Sequence, residues 1–484
     1  MGMGDTSPMI KKIRQSGARR FRIPKKGRIR FALAVVLVAV VTVFLIRGPG
    51  RVKPPETDIA AETGVNADAA PAPDDARKRA HIATIQKVAD NQMSFKEMRM
   101  LVMEYGIGVD AAEQKVVRNV AGGRGKASED DGDTLTFSLS IDTMLQKYAQ
   151  SMLKRYKPRY GAAAAIDPST GRVLALASYA GDGEPIDGKD LYLKSIFPAA
   201  SIFKTVVAAA GIEKGGMTAN TPIPHYGKHH TLYKTQLQKD LKVSRDIPLE
   251  EAFAYSVNPA FARIALFNVN KDVISSYGER FGFNAQVPFE LDAAISEMFA
   301  PDSEFSVAEF ASGFNRKTSI SPLFGALLAG AVCEGGVIYE PTIVDSVRSS
   351  KKDTVVYNRK PQIWRRAVKE STASELRGLM GKVTHYGTAR KTFRPLRDSQ
   401  KYGAYEFGGK TGSVNKPGLG RVDWFIGFAR NPNDKNQRMA VGVVTTHGEY
   451  WTVHSSYIAS EMFKKYIGQA GAKSVSADTA GNKD

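Results

Sequence analysis

The chain has 484 residues, 43% apolar and 24% charged, a balance that suits a folded protein with a large core and excludes a chain too polar to bury one. Its formal net charge is +19, and ten of its Lys and Arg residues stand within residues 1–30 against one acid, Asp5. The single cysteine, Cys333, excludes an intramolecular disulfide and a cysteine-rich zinc site, and its setting, LLAGAVCEGG, reads as a small buried helix residue.

The basic block runs into FALAVVLVAVVTVFLI, residues 31–46, which carries no charge. As a helix it spans about 24 Å, and Arg30 and Arg47 can snorkel from its ends across a hydrocarbon core of about 30 Å. A cleaved signal peptide has the same order of basic and apolar regions, but the nearest small-x-small site, Ala67-Asp68-Ala69, lies far beyond the run. An uncleaved single-pass anchor is therefore expected, in a bacterium in the cytoplasmic membrane. The positive-inside rule then leaves residues 1–30 in the cytoplasm and the rest on the periplasmic or extracytoplasmic side. Topology and anionic head groups account for the basic tract, so no nucleic-acid partner is expected.

Residues 47–80 shift to Pro, Ala, Asp and Glu and read as a flexible linker. Residues 81–132 hold one helical pattern, around IATIQKVADNQMSFKEMRMLVMEYG, then a Gly/Asp-rich break, and read as a small pedestal or docking segment. The main domain is expected over residues 133–468, and the polar residues 469–484 as a disordered tail.

Within that domain, TMLQKYAQSMLKRY has helical spacing, with Met144, Leu145, Tyr148, Met152 and Leu153 along one side. YGAAAAIDPSTGRVLALASYA reads as a hairpin turning at Asp167-Pro168-Ser169-Thr170-Gly171. ISPLFGALLAGAVCEGG and STASELRGLMGKVTHYG read as helices, and GGKTGSV, RVDWFIGFAR and RMAVGVVTTH as three late strands. The expected fold is α/β (α+β): a central antiparallel sheet flanked by helices, with a mainly helical second lobe, preceded by one N-terminal transmembrane helix.

Ser-x-x-Lys occurs four times, as Ser151/Lys154, Ser201/Lys204, Ser349/Lys352 and Ser413/Lys416. The first lies on an amphipathic helix, the third in the polar turn RSSKKD, and the fourth at the start of a strand, where residues i and i+3 do not share a face. Only Ser201 follows a break, FPAA, and opens an apolar run, SIFKTVVAAAGIEKGG, that ends at a Gly pair. A serine there sits at the positive end of the helix, and Lys204 faces the same way one turn on. An ammonium among Ile202, Phe203, Val206 and Val207 is costly to desolvate, so Lys204 is pushed towards a neutral amine able to activate the serine. Ser256 and Asn258 in YSVNPAF can enter one cleft. Lys410, Thr411, Gly412 and Ser413 in FGGKTGSVN can bind a carboxylate, with Gly412 permitting close backbone approach. His225, His229 and His230 read as a polar loop, and no metal or other cofactor is expected.

Ser-x-x-Lys, Ser-x-Asn and Lys-Thr-Gly in this order resemble the penicillin-binding protein transpeptidases and serine β-lactamases. GAAAAIDPSTGRVLALAS, EEAFAYSVNPAFARIAL, ISPLFGALLAGAVCEGGVIYEP and DWFIGFAR extend the resemblance, which points to a class B-like, monofunctional transpeptidase. It implies Ser201 as the acylated nucleophile, Lys204 as its base, Ser256 as proton relay, and Asn258 as a hold on the substrate amide and Lys204. Lys410 and Thr411 would bind the substrate carboxylate, and the N–H groups of Ser201 and Ser413 would form the oxyanion hole. Three positions depart from the family pattern: Ala200 stands where glycine is usual, Ser413 where threonine is commoner, and no Gly-Gln-Gly precedes the SPL helix.

The implied activity is D,D-transpeptidation of peptidoglycan stem peptides, with covalent acylation by β-lactams and, as further partners, proteins of a cell-wall synthesis complex. The same acylation chemistry serves D,D-carboxypeptidases and β-lactamases, in which water resolves the acyl-enzyme, and a non-catalytic penicillin-binding scaffold or sensor would keep the fold for binding alone.

Overall fold

The computed structural model describes residues 95–104, 115–120 and 133–480, apart from 242, 351 and 352. The basic segment 1–30, the anchor 31–46 and the linker 47–80 lie outside the described residues, as does most of segment 81–132. Among the described residues no helix is long and apolar enough to cross a membrane.

Helix α1 (Phe95–Glu104) buries Met98, Leu101 and Val102 in the core, and strands β1 (Lys115–Val120) and β2 (Asp133–Leu139) pair antiparallel. Helix α2 (Thr143–Tyr156) is capped by Asp142, whose carboxylate accepts from the N–H groups of Met144 and Leu145. Its buried side carries Leu145, Gln146, Ala149, Met152 and Leu153, whereas Met144 is exposed. Gln146 is inside because it completes a strand edge: its Nε2 donates to Leu176 O (2.6 Å) and its Oε1 accepts from Leu176 N (2.7 Å).

The expected hairpin forms from β3 (Tyr160–Ile166) and β4 (Val173–Ala180). Asp167 closes its turn by accepting from Ser169 N and Oγ and from Thr170 Oγ1, and Gly171 takes φ +78°, where a Cβ would lie 2.2 Å from Glu340 O. The alanines of β3 are all buried, small enough for helices to close on both sheet faces.

The middle of the chain is mostly helical. Strand β5 (Phe197–Pro198) leads through a 3₁₀ turn, Ala200–Phe203, into α3 (Lys204–Glu213). After β6 (Pro222–His225) and β7 (Arg245–Pro248) come α4 (Leu249–Ala254), α5 (Asn258–Arg263), α6 (Lys271–Phe281) and α7 (Glu304–Ser312). Then follow β8 (Ser319–Ile320), the wholly buried α8 (Pro322–Cys333), and strands β9 (Val337–Tyr339), β10 (Val344–Ser349), β11 (Thr354–Asn358) and β12 (Ile363–Arg366). Helices α9 (Glu370–His385) and α10 (Arg390–Arg397) precede β13 (Glu406–Lys416), β14 (Gly420–Asn431), β15 (Asp434–His447) and the last helix, α11 (Ser455–Ala480). That helix runs through residues 469–480, where the sequence suggests a disordered tail. Once nucleated on the sheet, a helix extends at one hydrogen bond per added residue, and no proline stops it.

The main sheet has the order β13-β14-β15-β3-β4, antiparallel throughout, so strands from both ends of the domain meet in one layer. On one face α8 packs so closely that a Cβ on Gly442 would lie 2.1 Å from Pro322 O. On the other, Phe425 stacks on Phe393 of α10 at 5.2 Å, and α2 and α11 complete the layer. A second sheet, β1-β2-β10-β11, joins residues 115–120 to residues 344–358. Strand β13 is an edge: α9 covers its first half, with Thr384 Oγ1 donating to Phe407 O (2.7 Å), and its second half borders a cleft.

Candidate active site

A cleft of about 750 Å³ is lined by Ser201, Ser256, Asn258, Thr411, Gly412 and Ser413, among others, so the three motifs meet in one place. Ser201 stands in the 3₁₀ turn rather than in the first turn of an α-helix, and Ala200 before it adopts φ +49°. That left-handed backbone accounts for the family's usual glycine at this position: an L-residue held there costs about 1–2 kcal/mol.

Lys204 is completely buried. Its Nζ lies 2.7 Å from Ser201 Oγ, 2.7 Å from Asn258 Oδ1 and 2.6 Å from Ser312 O. Burial, and next the charge of Lys410, hold its pKa well below the usual lysine range. A neutral amine has two N–H groups and one lone pair. Asn258 Oδ1 and Ser312 O can only accept, so they take the two N–H groups. The lone pair is left facing the Ser201 hydroxyl, the arrangement of a general base beside its nucleophile.

Ser256 turns the chain between α4 and α5 with φ +56°, a second left-handed L-residue beside a reactive group. Lys410, also fully buried, donates from Nζ to Ser256 Oγ (2.9 Å) and to Thr411 O (3.0 Å) above the Phe253 ring. Burial lowers its pKa to about 7. The cleft thus holds two lysine–serine pairs, one on the helical side and one bridging from the sheet.

Along the β13 edge, Thr411 Oγ1 lies 2.6 Å from Thr388 Oγ1, and Ser413 is exposed to the cleft. What Gly412 approaches closely is the turn that carries Ser201: a Cβ there would sit 3.2 Å from Ser201 N and 3.3 Å from Ala200 Cβ. This contact brings the backbone of the edge strand beside the Ser201 N–H, and the free edge of β13 can take an extended peptide as an added strand.

The serines of the other Ser-x-x-Lys motifs stand in different settings. Ser151 Oγ donates to Tyr148 O on the exposed side of α2, Ser349 is buried at the end of β10 rather than solvated, and Lys416 reaches away from Ser413 to donate to Ile196 O (2.9 Å). Cys333 is buried, which pushes its thiol up to about 12. His230 reaches the cleft wall, while His225 is buried at the end of β6.

Three contributors were not legible as site residues. Ser312 acts through its carbonyl, and Gly313 through a φ of +69° where a Cβ would lie 2.0 Å from Ala200 O. Thr388 acts through its bond to Thr411. The small pair Ser312-Gly313 ahead of the SPL helix was the one available signal.

Residues 161–468 match the family described as the penicillin binding protein transpeptidase domain. Stage V sporulation protein D of Bacillus subtilis is 22% identical over 312 residues, 61% of this chain and 47% of that protein. Peptidoglycan D,D-transpeptidase PbpA of Mycobacterium tuberculosis is 25% identical over 325 residues, 60% of this chain and 63% of that one. The chain thus spans about half to two thirds of the length of these relatives. Among solved structures, the D,D-transpeptidase domain of a peptidoglycan glycosyltransferase from Eggerthella lenta has a TM-score of 0.57 at 24% identity, covering 69% of this chain and 84% of that one. The penicillin G acyl-enzyme complex of penicillin-binding protein A from M. tuberculosis has a TM-score of 0.53 at 21% identity, covering 69% and 80%. With more than half of its length matching that family, and its three motifs gathered round one cleft, the chain belongs to the penicillin-binding protein transpeptidases.

Proposed function

We propose that this protein is a membrane-anchored peptidoglycan D,D-transpeptidase that forms an acyl-enzyme on Ser201 and is acylated there by penicillins. The observation that carries the reading is the Lys204 amine, buried and hydrogen-bonded so that its lone pair meets the Ser201 hydroxyl. Ser201 Oγ attacks the carbonyl carbon of a D-Ala-D-Ala bond while its proton passes to Lys204. The N–H groups of Ser201 and Ser413 hold the oxyanion, and Lys410, Thr411 and Ser413 hold the terminal carboxylate. As the C–N bond breaks, Ser256 hands a proton to the leaving D-alanine amine and is reprotonated through Lys410. The amine of a second stem peptide then attacks the ester and gives up a proton through Ser256 to Lys410; as the new amide forms, the C–O bond to Ser201 breaks and Ser201 takes its proton back from Lys204.

The apolar run 31–46 behind the basic residues 1–30 supports an anchor with the catalytic domain in the periplasm, near its substrate and possible cell-wall synthesis partners. The test is to supply the full chain with a D-Ala-D-Ala peptide donor and an amine acceptor. The reading expects one D-alanine released per new amide bond, and none with Ser201→Ala. Release of D-alanine with only hydrolysed donor would contradict transpeptidation.

A further inference from the structure

The cleft does not end at Ser413. A second cavity of about 530 Å³ continues it past the β13–β14 turn, and Arg421 and Trp451 line both. Arg421 is exposed at the start of β14, between Asn415 of β13 and His447 of β15 in the register. Its guanidinium carbon lies 4.7 Å from the centroid of Trp451, which stacks on His447 at 4.9 Å and 14°. His447 is buried, with Nε2 3.0 Å from Thr445 Oγ1. The guanidinium is therefore held on an aromatic shelf anchored in the sheet, which lowers the entropy lost on binding.

Among the described residues no carboxylate pairs with Arg421. Asp423, nearby in the first cavity, is taken by Ser455 N–H (2.8 Å) and lies 3.7 Å from His454 Nδ1. Arg316 and Lys416 also line the second cavity, each donating to a backbone carbonyl, and Glu449 is its one carboxylate. The extension therefore favours an anion.

Direction along β13 says which part of a peptide reaches it. If the terminal carboxylate meets Lys410 and Thr411 and the scissile carbonyl meets the Ser413 N–H, the peptide runs antiparallel to β13. The residues before the scissile bond then lie beside Val414 to Lys416, and at about 3.3 Å per residue Asn415, the register partner of Arg421, is two positions on.

We propose that Arg421 forms a second anion-binding subsite, which takes a side-chain carboxylate carried by the donor peptide one or two residues before its D-Ala-D-Ala end. The identity of the peptide rests on the transpeptidase reading above; the anion preference rests on Arg421 and its shelf.

The test uses the full chain carrying Ser201→Ala, so that binding is measured without reaction. Two D-Ala-D-Ala peptides, differing only in a side-chain carboxylate or carboxamide at that upstream residue, are titrated calorimetrically. The carboxylate peptide is expected to bind roughly tenfold tighter, a preference that weakens with salt, disappears in Arg421→Ala and is partly retained in Arg421→Lys. Equal binding of the two peptides to the parent, or a preference that survives Arg421→Ala, would overturn the proposal. Failure of the transpeptidase reading would appear separately, as an unmodified Ser201 in the protein treated with penicillin.

Discussion

Lys204 and Lys410 are both fully buried in the same site, and burial, then the charge of Lys410, lowers the pKa of Lys204. Burial also lowers Lys410, to about 7. In the proposed reaction two chemically identical side chains take opposite parts, a base beside Ser201 and a cation beside Ser256.

This division sets a pH dependence. The base must be neutral, so the second-order rate of acylation rises as pH climbs through the lowered pKa of Lys204. In the proposed role of binding a carboxylate Lys410 must be charged, so the rate falls as pH passes about 7. A bell-shaped profile is expected, with its alkaline limb abolished or moved upward in Lys410→Arg. A wild-type rate that climbs steadily to pH 9 would rule out a cationic role for Lys410.

Replacing Lys204 by methionine keeps the apolar stem and removes the base. Acylation is expected to fall at least about 100-fold, the scale of general-base catalysis, with the far-UV circular dichroism unchanged. A folded Lys204→Met protein acylated within tenfold of wild type would show that another group takes the proton.

Ala200 stores strain next to Ser201 at φ +49°. Ala200→Gly removes a left-handed cost of about 1–2 kcal/mol and adds about 0.5–1 kcal/mol of chain entropy, so the variant should gain up to about 1.5 kcal/mol while still acylating. Chemical denaturation measures the first and labelling kinetics the second; a clear loss of stability would mean that the alanine methyl has a packing role outweighing the strain.

Gly313 tests the positioning of the same turn. An alanine there would drive its Cβ against the Ala200 carbonyl, with Ser201 N only 2.9 Å away. Gly313→Ala should lose about 1–3 kcal/mol of stability and, because displacement of a reacting group is costly, roughly 10–100-fold in acylation rate at a temperature well below its melting point. Wild-type kinetics would show that the turn can relax without moving Ser201.

Much of this site was legible in the sequence, because its signals are local. The Asp167 turn, the break before Ser201 and the apolar setting of Lys204 all lie within a few residues of the features they define. The rest depends on distant parts of the chain. Ser312 serves through a carbonyl that any residue could supply, and Thr388 matters only because α9 leaves it against Thr411. Gln146 is buried rather than Met144 because the edge of β4 needs a hydrogen-bond partner, which helical periodicity does not reveal. The pairing of β2 with β10 spans too long a separation for pattern alone.

The central claim is that Ser201 is a nucleophile made reactive by Lys204. The most direct measurement is intact-mass analysis of the full chain after exposure to benzylpenicillin, followed by peptide mapping. The account predicts a single added penicilloyl group on the peptide containing Ser201, lost in Ser201→Ala and strongly slowed in Lys204→Met. An unmodified wild-type protein, or an adduct that persists in Ser201→Ala, would contradict it.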